Sequence, residues 1–517
     1  MRQFIGRGVR ALARDNKGTV AMLFGLAVIP ILLGVGVAVD YGRGLIVRDR
    51  MAAAADSAAL AAASWPGLSE AELKTKVQEY FDANFPPTAL GAVGTLNVSL
   101  VGDDIVVQVS ATVPTTIMQI ANIDKLDVGV TNRITKKERA IELALVLDTT
   151  GSMDSGGKMS AMQNAANKML DTLFEGKSVS DSLKVAVVPF SAAVNIGVDK
   201  LNSGWLDKTA GSIMSYEDFN SSVKVLDLYA GLNNRSWGGC VRERDEPYVL
   251  TDDAPTSANT RWAPYFAPDE PGPGDGSSTN NARYCNDYVS DGSYSSATCY
   301  DKGTSDNHRR QCYPGKYAGK NADNRNCGFN NPVGPNMNCP PNAVTALTNT
   351  KSTVVDAVNA LAPRGSTVIP AGLLWGWRVI SPTEPFTEGK PYDDEKWVKA
   401  IVVLTDGQND VGGGLSGFNK SYYNAFGFAK SGHLGSTSGS DAESTLNAKT
   451  LTVCNAIKAK GVRVYTIGFQ ITDATTKNLL RDCATEPEMS YNSPSNAELA
   501  GIFQDIAQGL SELRIAQ

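Results

Sequence analysis

Histidine is nearly missing from this chain: His308 and His433 are the only two among 517 residues, and both stand in polar, loop-like sequence. That scarcity removes the His-Glu-x-x-His zinc helix and leaves little material for imidazole acid–base catalysis. No Gly-x-Ser-x-Gly elbow and no P-loop occur either. Two cysteines never stand in a C-x-x-C pair, which excludes paired-thiolate zinc motifs. Nor is there a basic run interleaved with aromatics of the kind that tracks phosphates. A formal net charge of −6, with 42% hydrophobic and 20% charged residues, is an ordinary globular balance, mildly acidic. These absences point away from an enzyme, a nucleic-acid binder or a small-molecule substrate.

A different absence is informative by itself. Between residues 18 and 39 the chain runs GTVAMLFGLAVIPILLGVGVAV without a single charge. At 1.5 Å per residue, that helix crosses about 30 Å of hydrocarbon. Arg2, Arg7, Arg10, Arg14 and Lys17 precede it against Asp15, whereas Arg43, Arg48 and Arg50 behind it are balanced by Asp40, Asp49 and Asp56. The asymmetry puts residues 1–17 in the cytoplasm and the bulk of the chain outside it. The apolar run exceeds the usual signal-peptide core, so an uncleaved single-pass anchor is expected.

Helix formers continue beyond the span as a stalk up to Pro66, with an alanine stripe that reads either as a packing face for a neighbouring membrane helix or as an ordinary alanine-rich helix. A second helix and three strands rich in β-branched residues complete a small α+β membrane-proximal module over 40–138. Beyond it, strand and helix alternate as in a parallel sheet covered on both faces. IELALVLD (141–148), LKVAVVPF (183–190), AIVVLT (400–405) and VRVYTIGF (462–469) read as buried strands. Helical spacing marks 158–174, 343–361, the stretch from Ala371, 446–459 and 497–513.

That pattern breaks between 203 and 342, where Gly, Asn, Asp, Ser, Pro and Tyr dominate. Six of the eight cysteines, Cys240, Cys285, Cys299, Cys312, Cys327 and Cys339, fall there. A structureless loop of that length needs staples, so the stretch reads as a disulfide-bonded insertion in an oxidising compartment. Fifteen pairings are open to six cysteines. Cys454 and Cys483, on or beside neighbouring helices, are expected to bond to each other. The resulting expectation is an α/β, doubly wound, mostly parallel sheet formed by 139–202 and 343–517, interrupted by a cysteine-rich subdomain.

Chemistry concentrates where strands end. Asp148, Thr150 and Ser152 follow the first strand, Thr367 enters a helix, and Asp406 follows AIVVLT. Loops leaving the carboxyl ends of parallel strands share one rim, so two carboxylates and three hydroxyls are expected to converge. Oxygen ligands suit a hard divalent cation, Mg²⁺ first and Ca²⁺ or Mn²⁺ as alternatives. Two carboxylates roughly cancel its charge, and neutral hydroxyls leave it able to accept a partner's carboxylate.

This DxTxS run, with Thr367 and Asp406, resembles the metal-ion-dependent adhesion site of von Willebrand factor A domains, with threonine at 150 where serine is usual. Within that broad family the chain resembles TadG-like proteins of bacterial tight-adherence (Flp) pilus systems. The resemblance rests on VAVDYGR (37–43), AAAADSAALAAA (52–63), GLLWGWR (372–378) and the ending LSELRI (510–515). It departs from processed pilin precursors, because Leu23 stands where glutamate would follow a cleavage at Gly18. What it implies is an inner-membrane protein with a periplasmic A-domain, assembling a pilus through contacts with other pilus-assembly or pilin-like proteins. The alternative is a cell-surface adhesin that grips an external ligand through the same metal site.

Overall fold

The computed structural model describes residues 17–63, 70–85, 92–101, 104–135, 139–220, 223–269, 286–290, 292, 294–326, 328, 330–412 and 418–515. Arg2, Arg7, Arg10, Arg14, the expected cytoplasmic tail apart from Lys17, Pro66 and two of the eight cysteines, Cys285 and Cys327, lie outside them. The chain forms two compact units that divide between Glu138 and Arg139.

The first unit begins with one long helix, α1 (Lys17–Ala63), followed by α2 (Glu70–Asn84). Its strands β1 (Ala92–Val101), β2 (Asp104–Pro114) and β3 (Lys125–Thr135) form an antiparallel meander. The first part of α1 leaves Met22, Leu23, Phe24, Leu26 and Ile29 exposed. So large an apolar surface suits a hydrocarbon environment. Among the described residues this is the one helix long and apolar enough to cross a membrane. Pro30 sits within it, as bilayer helices tolerate.

Beyond Asp40 the same helix turns into a packing element. Asp40 is buried and accepts hydrogen bonds from the backbone N–H groups of Thr116, Ile117 and Met118, at 2.8–3.0 Å. Three otherwise orphaned donors are satisfied by one carboxylate, which is the physical content of the aspartate in VAVDYGR. The alanine stripe is used internally and is not free for another membrane protein. Ala54, Ala55, Ala58, Ala59 and Ala62 pack with Leu73, Val77 and Phe81 of α2 and with Val107 and Val109 of β2. Small side chains let helix and sheet approach closely.

In the second unit, the core strands are β4 (Ala140–Asp148), β5 (Leu183–Phe190), β8 (Thr345–Thr348), β9 (Trp397–Thr405), β10 (Arg463–Phe469) and β11 (Ser490–Ser493). Their spatial order is β8-β5-β4-β9-β10-β11, parallel throughout except for antiparallel β8. Counted along the chain, that is a 3-2-1-4-5-6 sheet, which reverses direction between β4 and β9. The helix expected over 343–361 is in fact β8 followed by α6 (Lys351–Asn359). Thr345 and Thr348 are β-branched and pair with β5, so sheet pairing overrides the helical spacing.

Both sheet faces are covered, as the continuous apolar strands require. Leu143, Leu145 and Leu147 pack under α3 (Lys158–Phe174), α6 and α10 (Asn496–Ile515). Ala144 and Val146 face α7 (Ile369–Ile380) and α8 (Ala442–Ala459). Helix α9 (Ala474–Cys483) lies beside α8, and Cys454 and Cys483 join them in a disulfide. The expected ladder of elements is thus present, and α9 and β11 are additions to it.

The insertion is not a separate body but continues the core over α7. Among the described residues its regular structure is sparse: strand β7 (Cys240–Val241), which pairs with β6 (Val194–Asn195) from just before the insertion, helices α4 (Val225–Gly231) and α5 (Asp306–Cys312), and short 3-10 turns. Aromatic residues supply the packing instead. Trp262 stacks at a tilt on Trp375, and Phe266 meets Tyr229 and Tyr317 edge-on. Arg378 of α7 donates to Glu243 at 2.7 Å and lies over both tryptophan rings, so its charge is paired in the dry interior. Disulfides Cys240–Cys339 and Cys299–Cys312 staple this region.

Candidate metal centre

The register of two parallel strands builds the site. Leu147 pairs with Leu404, so the last residue of β4, Asp148, comes level with the last residue of β9, Thr405. The Thr405 hydroxyl donates to Asp148 Oδ2 at 2.7 Å, and the Thr150 backbone N–H donates to Oδ1 at 2.8 Å. One residue further, Asp406 turns onto the same rim. Ser152 Oγ donates to Asp406 Oδ1 at 2.6 Å and lies 2.9 Å from Thr150 Oγ1.

Thr367 arrives from the loop before α7, which is bolted to both strand-end loops through the backbone. Gly151 N–H reaches Gly365 O at 2.8 Å, Arg364 N–H reaches Thr149 O at 2.7 Å, and Asp410 N–H reaches Thr367 O at 2.7 Å. Gly365 adopts φ +79°, and a Cβ there would stand 2.8 Å from Asn338 Oδ1, so the loop needs glycine on both counts. The Thr367 hydroxyl lies 4.0 Å from the position a Cβ on Gly407 would take, against the Asp406–Gly407 turn. All five residues named from the sequence, Asp148, Thr150, Ser152, Thr367 and Asp406, therefore stand at one end of the sheet, at its point of reversal.

Three neighbours were not legible beforehand. Asn409 accepts from the Ile369 N–H at 2.8 Å and ties the Asp406 loop to α7. Thr405 reads as the end of a strand and turns out to orient Asp148. Most consequential is Lys158, at the start of α3, whose ammonium donates to Asp406 Oδ2 at 2.7 Å.

The electrostatics ask for positive charge. Asp148 is fully buried, and burial together with the nearby Asp406 carboxylate raises its pKa to about 7, against hydrogen bonds from Thr150 and Thr405 that favour the ionised form. Two buried carboxylates and three hydroxyls, with one ammonium already drawn in, are a donor set that fits a hard divalent cation. Histidine and thiolate are absent from it, which does not suit a soft metal.

Residues 18–64 match the family described as putative Flp pilus-assembly TadE/G-like. The chain is TadE/G-like at its membrane end. The TadE/G-like segment contains the apolar stretch, Asp40 and the alanine stripe, and the second unit that follows it is the expected α/β, doubly wound, mostly parallel sheet. No curated protein matches the chain. Among solved structures, the von Willebrand factor domain of the type V pili tip protein Mfa5 from Porphyromonas gingivalis is 9% identical. The match covers 74% of this chain and 97% of that one, with a TM-score of 0.34. The PilB minor pilin from Streptococcus sanguinis is 12% identical over 82% of this chain and 78% of its own, with a TM-score of 0.32. Proximal thread matrix protein 1 from the mussel byssus, solved with a zinc-occupied MIDAS motif, is 12% identical with a TM-score of 0.30. That match covers 72% of this chain and spans less than half of the byssus protein, 46%.

Proposed function

We propose that this chain is a membrane-anchored, periplasmic component of a Tad-type pilus assembly system, and that its A-type domain captures protein partners through a divalent cation. Asp148, Thr150, Ser152, Thr367 and Asp406 would hold the ion, directly or through water, with Mg²⁺ the leading candidate. When bound, the ion supplies a Lewis-acidic position that a carboxylate of a partner completes. The chain's own residues do the rest: Thr405 and the Thr150 N–H orient Asp148, Ser152 orients Asp406, and the backbone bonds through Gly365 and Asp410 hold Thr367 in reach.

The observation that carries this reading is the convergence of two buried carboxylates from β4 and β9 on one rim, where their mutual repulsion calls for a cation. The role is binding, not turnover. Both carboxylates are engaged by neighbouring donors, and both histidines line a cleft that contains none of the five site residues, which supports binding over acid–base catalysis at the centre.

The test is a pull-down of the tagged full-length protein from detergent-solubilised membranes, with and without chelator. Loss of partner pilus proteins on chelation, reproduced by Asp406→Ala, is the expected result. Recovery insensitive to both would reduce the domain to a scaffold. Protease added to intact cells distinguishes the adhesin reading, because a periplasmic protein is protected and a surface adhesin is cut.

A further inference from the structure

The apolar run of α1 is not alone at its outer end. A Cβ on Gly36, in the last turn of that run, would collide with Ile117 of the β2–β3 loop, so loop and helix touch at this level. The hold of Asp40 on the N–H groups of Thr116, Ile117 and Met118 fixes the loop there. Thr115, Ile120, Asn122 and Ile123 donate their own N–H groups to nearby carbonyls, at 3.0–3.2 Å. Apolar side chains point outward from it: Ile120 is 72% exposed and Ile123 41%. A loop with most of its backbone donors satisfied and isoleucines outside is suited to a bilayer interface, where unpaired donors are costly.

One turn further out, α1 and β3 enclose a cleft of about 290 Å³. Tyr41, Leu45 and Arg48, which share one face of the helix, form one wall, and Asp127 and Val128 of β3 form the other. Tyr41 and Leu45 follow the uncharged run by two and six residues. At 1.5 Å per residue that is about 3–9 Å, the depth of a headgroup layer roughly 5–8 Å thick. Tyrosine and leucine there are half-exposed, 59% and 40%. Arg48 is exposed and has neither an ion pair nor a hydrogen bond among the described residues. Helical side chains lean toward the N-terminus, here the bilayer side, which brings the guanidinium back toward lipid. Asp127 accepts from the Thr112 hydroxyl at 2.9 Å and is paired with no cation among the described residues. A cation and an anion thus share one cleft without neutralising each other.

We propose that this cleft seats the headgroup of phosphatidylethanolamine, its phosphate against Arg48 and its ammonium against Asp127, with Tyr41 and Leu45 beside the glycerol and the first acyl carbons. A headgroup with phosphate alone would satisfy Arg48 and leave Asp127 beside a like charge. A quaternary amine carries the charge but has no N–H to give the carboxylate. The inference rests on α1 being a membrane anchor, and it is independent of the ion and of the pilus partners.

The test places the full chain, with chelator present, in nanodiscs of equal parts phosphatidylethanolamine, phosphatidylglycerol and phosphatidylcholine. Lipids that stay with the protein as the disc is stripped are counted by native mass spectrometry. Phosphatidylethanolamine should be retained about threefold or more over each of the others, the scale of an exposed charged contact. Asp127→Asn should level it with phosphatidylglycerol, and Arg48→Gln should lower the retention of both; each residue is exposed, so the fold is spared. A chain that does not enter the discs would sink the anchor and the site together. A chain that enters them and retains the three lipids equally, prefers phosphatidylglycerol, holds phosphatidylcholine as well as phosphatidylethanolamine, or ignores both substitutions would overturn the site alone.

Discussion

Replacing Lys158 by methionine should tighten divalent-cation binding and, in the absence of the ion, weaken the fold. Asp406 is held at both oxygens, by Ser152 at 2.6 Å and by Lys158 at 2.7 Å. Its side chain is fully buried, whereas that of Lys158 keeps 16% of its surface. A cation that uses both Asp406 oxygens must displace the ammonium, and a charge-assisted hydrogen bond of this kind is worth about 1.5–3 kcal/mol. Since 1.4 kcal/mol is tenfold in affinity, Lys158→Met should improve ion binding by about ten- to a hundredfold. The same substitution strips the ion-free protein of the one cation that, among the described residues, touches this repelling carboxylate pair. Its melting temperature in chelator should therefore fall while the gain on adding Mg²⁺ grows. Calorimetric titration with Mg²⁺, Ca²⁺ and Mn²⁺, beside thermal melts with and without ion, reads both effects. Lys158→Arg keeps the charge and should leave affinity near that of the parent. Affinity unchanged or reduced in a folded Lys158→Met protein would refute the competition, since the ammonium would then stay beside the bound ion.

Further tests address other links of the chain. Asp148 carries its proton to about pH 7 in the fold but only to about pH 4 when unfolded. Between those values the folded state binds the extra proton, so ion-free stability should fall as pH rises from about 4 to about 7 and then level off. Because that proton must leave before the ion binds, apparent ion affinity should climb over the upper part of the same window. Asp148→Asn, melted across the range in chelator, isolates this slope from that of other acids. Gly376→Ala would place a Cβ 2.4 Å from Val146 Cγ2, where α7 lies on β4, and overpacking of this kind costs about 1–3 kcal/mol, readable by denaturant unfolding. The Cys240–Cys339 bond closes a loop with a sequence separation of 99, so replacing both cysteines by alanine should destabilise the protein by about 4–5 kcal/mol. Near Asp40, Ile120 is 72% exposed on the loop that Asp40 clasps. An environment-sensitive dye at a cysteine introduced there should report a lipid headgroup environment in vesicles, and a fully aqueous signal would place the loop clear of the bilayer.

How much of this was legible beforehand divides along a physical line. Continuous apolar strands such as IELALVLD and AIVVLT announce themselves because burial on both faces leaves no room for polar residues, and a parallel sheet carries its loops to one rim. Those two facts alone bring Asp148 and Asp406 together, although 258 positions separate them in the numbering. Thr367 follows because its loop must enter α7 from the same rim. The short strands β8 and β11 carry no such signature: four residues pair through backbone groups that every residue possesses.

Lys158 shows where pattern reading stops. On a helical wheel it is one more charged residue in the first turn of an amphipathic helix, and a solvated ammonium is the ordinary outcome. Its role is created by the direction in which α3 leaves the Asp148 loop, which aims the first turn of the helix at Asp406. Folding brings Gln311 and Asn419 into one cleft by a similar route. Each is a common polar residue in a loop-rich stretch, and only the packing of the stapled insertion against the β9–α8 segment leaves Gln311 Oε1 and Asn419 Nδ2 buried without a partner. A buried polar atom without a partner is a property of the assembled interior, and no spacing along a chain encodes it. That is why the strand-end ligands yield to sequence reasoning while such buried atoms have to be read from the fold.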